Sequence, residues 1–416
     1  DRDAEGRLTG IVREAAAMEL MPRIVGEFTA DELLDAYRAF QATLNAQGVT
    51  AVCDMALMAG PGLDFVRDDL FAALEEARRA LVGALGARRP SEAILTSGAT
   101  EADNAAILGL AEGAREVYRR AGKGDVTPHV IVSAIEHDAV LAPAKRLEAL
   151  GFEVTRLRPD ASGFVEVRAL EEALTPHTVL VSVQAANSEV GSIQPIAQLA
   201  ACAHEAGALF HTDAVQALGK APVDVGALDV DAASFSAHKI GGPKGVGALY
   251  LRARTPFAPF LLGGGQESGL RSGTQNVAGI AGFAAAAVAA QSSMEDEAAR
   301  LRVLRDRLYA GLTALGPVEA TVDVAPGSRD FLPNVVHVLV DGYESQTLIL
   351  RLDMLGFGVS GGSACSSHSL EPSHVLRAMG VPADRAQGAL RVSMGRYTTE
   401  SDVEGLLAAM ARALDW

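Results

Sequence analysis

From about Glu75 onward, short runs of β-branched and apolar residues alternate with Ala-rich stretches that mix polar and apolar faces. The short apolar runs, bounded by turn residues, have the length and composition of buried strands; the mixed stretches have those of helices. The pattern predicts strands over 93–96, 130–133, 179–184, 209–212, 232–236 and 246–251. Helices are expected between most of them, including 138–150 and 196–205. Alternation at this spacing implies an α/β unit with a mostly parallel sheet. Only a short Gly-rich turn separates the last two strands, which leaves room for one to run antiparallel. After about Gly279 the pattern predicts two long helical stretches, strands over 334–340 and 389–392, and a terminal helix. That is a smaller α+β unit.

Residues 1–74 do not share this rhythm. Thr29, with Glu32 three residues on, predicts a capped helix, and a short strand ending at Cys53-Asp54 follows. "GRLTGIVREAA" and "GVTAVCDM" resemble a fragment of a metal-dependent amidohydrolase. The segment has no histidine, so it lacks the His-x-His pair such a metal site needs, and no metal is expected. The division predicted is therefore 1–74, 75–279 and 280–416.

Composition narrows the function. At 416 residues the chain exceeds one ordinary core, and 49% hydrophobic content excludes general disorder. A net charge of −16 argues against nucleic acid or an anionic membrane as main partner. The three cysteines, Cys53, Cys202 and Cys365, are far apart, as in a reducing compartment without a disulfide framework. The longest apolar run, 277–290, is short and Ala/Gly-rich for a bilayer span, and the first residues lack a signal-peptide core. A soluble cytoplasmic protein is the expectation.

Chemistry enters with Ser236-Ala237-His238-Lys239, just past a predicted strand. A lone lysine there is usually solvated. This one follows a histidine and precedes Gly241-Gly242-Pro243-Lys244-Gly245, and glycines let backbone pass close to a bound group. Ser236 and His238 can bond a phosphate from the same turn. Thr96-Ser97-Gly98-Ala99-Thr100-Glu101 ends a strand and opens a helix, where backbone N–H groups form an anion site, although an ordinary capped helix has the same pattern.

These strings resemble the cysteine desulfurases, class V aminotransferase-like enzymes that use pyridoxal 5'-phosphate (PLP). The resemblance covers roughly residues 75–416 and implies a PLP-dependent transferase of fold type I. It implies that Lys239 carries the cofactor and that Ala99, Thr100, Ser236 and His238 hold its phosphate. Asp213 in "HTDAVQALGK" matches the acid beside the pyridine nitrogen, and Gln216 the residue bonding the ring hydroxyl. Asn187 in "AANSEVGSIQPI" matches a second bond to that oxygen and a substrate contact, and His137 in "EHDAV" the histidine stacked on the ring. "GGGQESGLRSGTQNVAGI", with Arg271, Ser272 and Thr274, matches a loop whose threonine reaches the partner subunit's phosphate, which implies a homodimer.

"SGGSACSSHSLEPSHVLRAMG" places Cys365 among Gly and Ser, as an exposed, accessible thiol requires. The resemblance makes Cys365 the sulfur-accepting nucleophile. His368 stands where the family has glycine. Arg391 in "GALRVSMG" matches the anchor of the substrate carboxylate, since arginine grips a carboxylate with two parallel hydrogen bonds. Cys202 on an Ala-rich helix reads as a buried small hydrophobe, and Cys53 also as structural.

The activity implied is conversion of L-cysteine to L-alanine, with sulfur left as a persulfide on Cys365. A sulfur acceptor follows, such as an Fe–S scaffold protein or a tRNA-thiolation carrier. The family's D-N-x-A-T-T and G-N-P-S-S-x-H motifs do not occur in this sequence. Alternatives are another class V PLP enzyme (an aminotransferase or a selenocysteine lyase) or a PLP-binding fusion with impaired turnover.

Overall fold

The structure, a computed structural model, describes residues 64–122, 126–362 and 372–415. The expected capped helix at Thr29, the strand ending at Cys53, the amidohydrolase-like strings, Cys365 and His368 all lie outside the described residues.

In chain order the principal elements are α1 (Asp64–Leu85), β1 (Ala93–Thr96), α2 (Ala99–Arg120), β2 (His129–Ser133), α3 (Asp138–Ala149), β3 (Glu153–Leu157), α4 (Val167–Ala173), β4 (Thr178–Ser182), α5 (Ile196–Glu205) and β5 (Leu209–Asp213). There follow β6 (Ala232–Ser236), β7 (Gly247–Leu251), α6 (Val277–Thr313), β8 (Val318–Ala320), β9 (Val335–Val340), α7 (Ser345–Met354), α8 (His374–Ala378), α9 (Ala383–Ala386), β10 (Ala389–Ser393) and α10 (Glu400–Leu414).

Seven strands form one sheet in the order β1-β7-β6-β5-β4-β2-β3. From β6 to β3 all neighbours are parallel. Strand β7 runs antiparallel to both β6 and β1, as the short Gly-rich turn before it allows. Strands β2 and β4 are buried along their whole length because helices cover both sheet faces. The sequence pattern missed β3. It is an edge strand, and of its five residues only Leu157 is buried, so its charged Glu153 and Arg156 mask the strand signal.

A second sheet, β10-β9-β8, is antiparallel throughout. The two helical stretches expected after Gly279 are one continuous helix of 37 residues, α6. Its polar middle does not break it, because the Ser292 and Ser293 hydroxyls donate to the Ala289 carbonyl from within the helix. By length and composition α6 could cross a membrane, its best window having a mean hydropathy of 1.5. Its buried face is shared between two cores: Ile280, Phe283 and Ala287 pack under the large sheet, Leu301, Leu304 and Leu308 on the small one.

Candidate active site

In a parallel sheet, ligands collect beyond the carboxyl ends of the strands. Here a cleft of about 1090 Å³ opens there, between the large sheet and β10. It is lined by Ala99, Thr100, His137, Asp213, Gln216, Ser236, His238, Lys239 and Arg391, which come from five separate strings of the sequence.

The α2 end of the cleft is built for an anion. Gly98, the N-cap, has φ 155° and offers no side chain to the first turn, so that turn's N–H groups are free for a ligand. Gly247 permits the close approach behind it, since a Cβ there would sit 2.7 Å from the Gly98 carbonyl carbon. The one acid in that turn, Glu101, is engaged twice. It accepts the Ser97 N–H at 2.8 Å and pairs with Arg271 through Nε at 2.6 Å and Nη2 at 3.1 Å. Across from it, Ser236 Oγ and His238 Nδ1 lie 2.8 Å apart at the end of β6, beside Lys239. Burial and the charges of Lys239, Lys244 and Lys220 pull the His238 imidazolium below its ordinary range.

Asp213 closes β5. Its Oδ1 accepts the Val215 N–H at 2.9 Å, which leaves Oδ2 available to the cleft. Burial pushes this carboxyl up, while the Val215 N–H and the charges of His137 and Lys239 hold it down. His137 caps α3, and its Nδ1 accepts the Ala139 N–H at 3.0 Å. That bond fixes the tautomer, placing the ring proton on Nε2 in the neutral form.

Arg391 enters from β10 with Nη1 donating to the Ser188 carbonyl at 2.9 Å. Its Nε is buried without a partner, an arrangement that a bound carboxylate completes. Burial lowers this guanidinium's pKa, and Glu189 partly offsets that. A nitrogen-facing acid, an open helix start and an unfilled arginine together suit PLP and an amino-acid carboxylate.

Two expected residues lie elsewhere. Asn187 is fully buried and does not line the cleft. Its Oδ1 accepts the Glu189 and Val190 N–H groups, and its Nδ2 donates to the Ile135 carbonyl at 3.2 Å. An Asx turn thus takes the amide oxygen, and the Ile135 carbonyl takes one of the two Nδ2 hydrogens. Thr274 is exposed and does not line this chain's cleft. Cys202 packs against the large core with burial raising its thiol pKa, in keeping with a structural role.

Three groups were not found from sequence. Asp103 on α2 lines the cleft at 1% exposure, its Oδ1 3.8 Å from His211 Nε2 and its carboxyl within the influence of the Ser234 hydroxyl. Burial, and then the charges of Asp213 and Glu136, raise its pKa well above the carboxylate range. Glu136, beside His137, accepts the Ser133 hydroxyl at 2.5 Å and the Gln184 N–H at 2.7 Å, and burial pushes it up to about 8. Lys220 lines the cleft four residues after Gln216. The available signal was an acid on the apolar face of an Ala-rich helix, and a lysine one helical turn from a candidate ligand.

Residues 62–406 match the aminotransferase class-V family. The chain is 44% identical to a cysteine desulfurase of Gluconacetobacter diazotrophicus, over 81% of this chain and 82% of that one. It is 45% identical to the cysteine desulfurase IscS of Dictyoglomus turgidum, over 82% and 84%. Among solved structures, a NifS-like protein superposes with TM-score 0.75 at 37% identity, covering 85% of this chain and 90% of that one. The fold agrees with the PLP-dependent type I architecture expected from the sequence, and the chain belongs to the class V aminotransferase family, within its PLP-dependent cysteine desulfurases.

Proposed function

We propose that this cleft converts L-cysteine to L-alanine and leaves the sulfur on Cys365 as a persulfide. The net reaction is L-cysteine plus the Cys365 thiol giving L-alanine plus the Cys365 persulfide, which balances without an external oxidant or reductant. One observation carries the reading: Lys239, Asp213, His137, Gln216 and Arg391 converge on a single cleft.

When bound, PLP supplies an electron sink for the substrate's α-carbon. The chain's own residues do the rest. Lys239 would anchor the cofactor and would move the substrate's α-proton at its Nζ. Asp213 would hold a proton at the pyridine nitrogen, and His137 would help hold the ring. Ala99 and Thr100 N–H groups, with Ser236 and His238, hold the phosphate. Arg391 binds the substrate carboxylate through its open edge. Asn187 supports from below, holding the turn that presents Ser188 to Arg391. The Cys365 thiolate attacks the substrate sulfur, because a thiolate is a far stronger nucleophile toward sulfur than a hydroxyl.

The same reading makes the protein a soluble, cytoplasmic homodimer in which Thr274 completes the partner subunit's phosphate site. Residues 75–279 are its cofactor-binding unit and 280–416 its smaller unit. The persulfide passes to an acceptor protein for Fe–S cluster assembly or tRNA thiolation.

Cys365→Ser tests the mechanism. The variant is expected to bind PLP and shift its absorption spectrum with L-cysteine, yet form no persulfide and alanine at least ~10³-fold more slowly. Alanine formation at the parental rate would refute the role of Cys365. Cys202→Ser and Cys53→Ser are expected to match the parent.

A further inference from the structure

Gln216 lines the cleft, but a glutamine amide has two faces, one an acceptor and one a double donor. Which face meets a ligand decides what the residue can do. The neighbour that settles the orientation is Lys220. Its Nζ lies 3.2 Å from Gln216 Oε1 and 3.1 Å from the Gln216 carbonyl oxygen. An ammonium has donors only, so the side-chain atom it touches must be the oxygen.

The backbone holds this contact in place. Residues 215–220 form a run of tight turns in which Leu218 N–H bonds the Ala214 carbonyl and Lys220 N–H the Ala217 carbonyl. Gly219 then takes φ +71°, and a Cβ there would meet Ala290 of α6 at 2.8 Å. The close packing of Gly219 on α6 turns Lys220 back toward Gln216, four residues earlier. Burial, then the charge of Lys239, pushes the Lys220 ammonium down to about 8. Its two hydrogen bonds to Gln216 accordingly matter more than they would in bulk water.

We propose that Lys220 is a positioning residue that fixes the Gln216 amide, so that Nε2 faces the cleft as a donor to an anionic oxygen on the cofactor ring. This rests on the reading above, in which Gln216 meets that oxygen. A donor there stabilises the deprotonated ring oxygen. Its loss raises the pH at which the bound cofactor's absorption band titrates, and weakens PLP binding.

The test compares Lys220→Met, Lys220→Arg, Gln216→Leu and the Lys220→Met/Gln216→Leu double variant, each titrated spectroscopically with PLP bound. PLP dissociation constants are measured by dialysis. Thermal melting of each PLP-free protein checks folding. Lys220→Met keeps the side-chain length without a charge to bury, so it is expected to fold.

Gln216→Leu and Lys220→Met are each expected to raise the band's apparent pKa by about one unit and weaken PLP binding roughly 10-fold, the scale of one hydrogen bond to a charged group. The double variant is expected to shift no further than either single one, and Lys220→Arg to restore most of the parental value. A normal band in Lys220→Met beside a shifted one in Gln216→Leu would overturn the role of Lys220, as would additive shifts. An unshifted band in Gln216→Leu would instead refute the contact between Gln216 and the ring oxygen.

Discussion

The two walls of the cleft differ in the charge they carry: the large sheet brings acids together with Lys220, Lys239 and Lys244, and the small sheet brings Arg391. The wall on the large sheet carries two buried acids, Asp103 and Asp213, and Glu136 is buried near them without lining the cleft; burial pushes all three up. The wall on the small sheet carries Arg391, whose guanidinium is pushed down by burial; burial, and then the charge of Arg391, lowers His337, opposite it on β9, to about 3. Burial favours the neutral form of the acids on one side and disfavours the charge of the guanidinium on the other. The acidic wall is suited to a protonated aromatic nitrogen, and the basic wall to a carboxylate. PLP would supply the pyridine nitrogen and the amino-acid substrate the carboxylate, so the two walls would serve both groups together. The contrast accounts for why neither sheet alone would serve.

Lys239 stands on the large-sheet wall, just past β6, and removing it gives the largest expected effect. Lys239→Ala should lose the yellow absorption band of the bound cofactor and all turnover, measured by spectrum and alanine assay. Retention of a borohydride-reducible link to PLP in that variant would refute the assignment. Asp213→Asn breaks the acidic wall next. It keeps the Val215 contact but cannot hold a proton on the ring nitrogen, and kcat should fall roughly 10²- to 10⁴-fold with a smaller change in KM.

The basic wall is tested by Arg391→Lys, which keeps the charge but loses the planar fork. A drop of about 10- to 100-fold in kcat/KM is expected, mostly in KM. An unchanged KM for L-cysteine would mean the carboxylate binds elsewhere.

Much of this contrast could be read from the chain. Lys239, Asp213 and His137 each follow a strand closely, so local strings locate them. The acids Asp103 and Glu136 could not be read as such, because their character comes from burial beside Asp213. Lys220 depends on a reach of one turn back to Gln216. Asn187 shows the converse: its string suggests a ligand contact, but the turn it closes uses its amide. Strand β3 was hidden by its exposure at the sheet edge, and the continuity of α6 by its polar middle.

The smallest expected effect concerns stability. Glu136 has a folded pKa of about 8 against an ordinary 4.5, so the folded protein retains a proton that the unfolded chain releases. The stability tied to that proton is fully present below about 4.5 and is lost as pH rises through about 8. Thermal melting from about pH 5 to about pH 9 should show that decline in the parent and a flatter profile in Glu136→Gln. Parallel profiles would place the proton on another buried acid, Asp103 or Asp213.

The account's central claim is that the two walls hold an amino acid whose sulfur leaves as its carbon skeleton becomes alanine. The direct measurement incubates purified, PLP-loaded protein with L-cysteine and a thiol reductant, and quantifies alanine and sulfide together. Equal amounts of both, with no keto acid required, are the expected result. Sulfide accompanied by pyruvate, or amino transfer to a keto acid without sulfide, would contradict it.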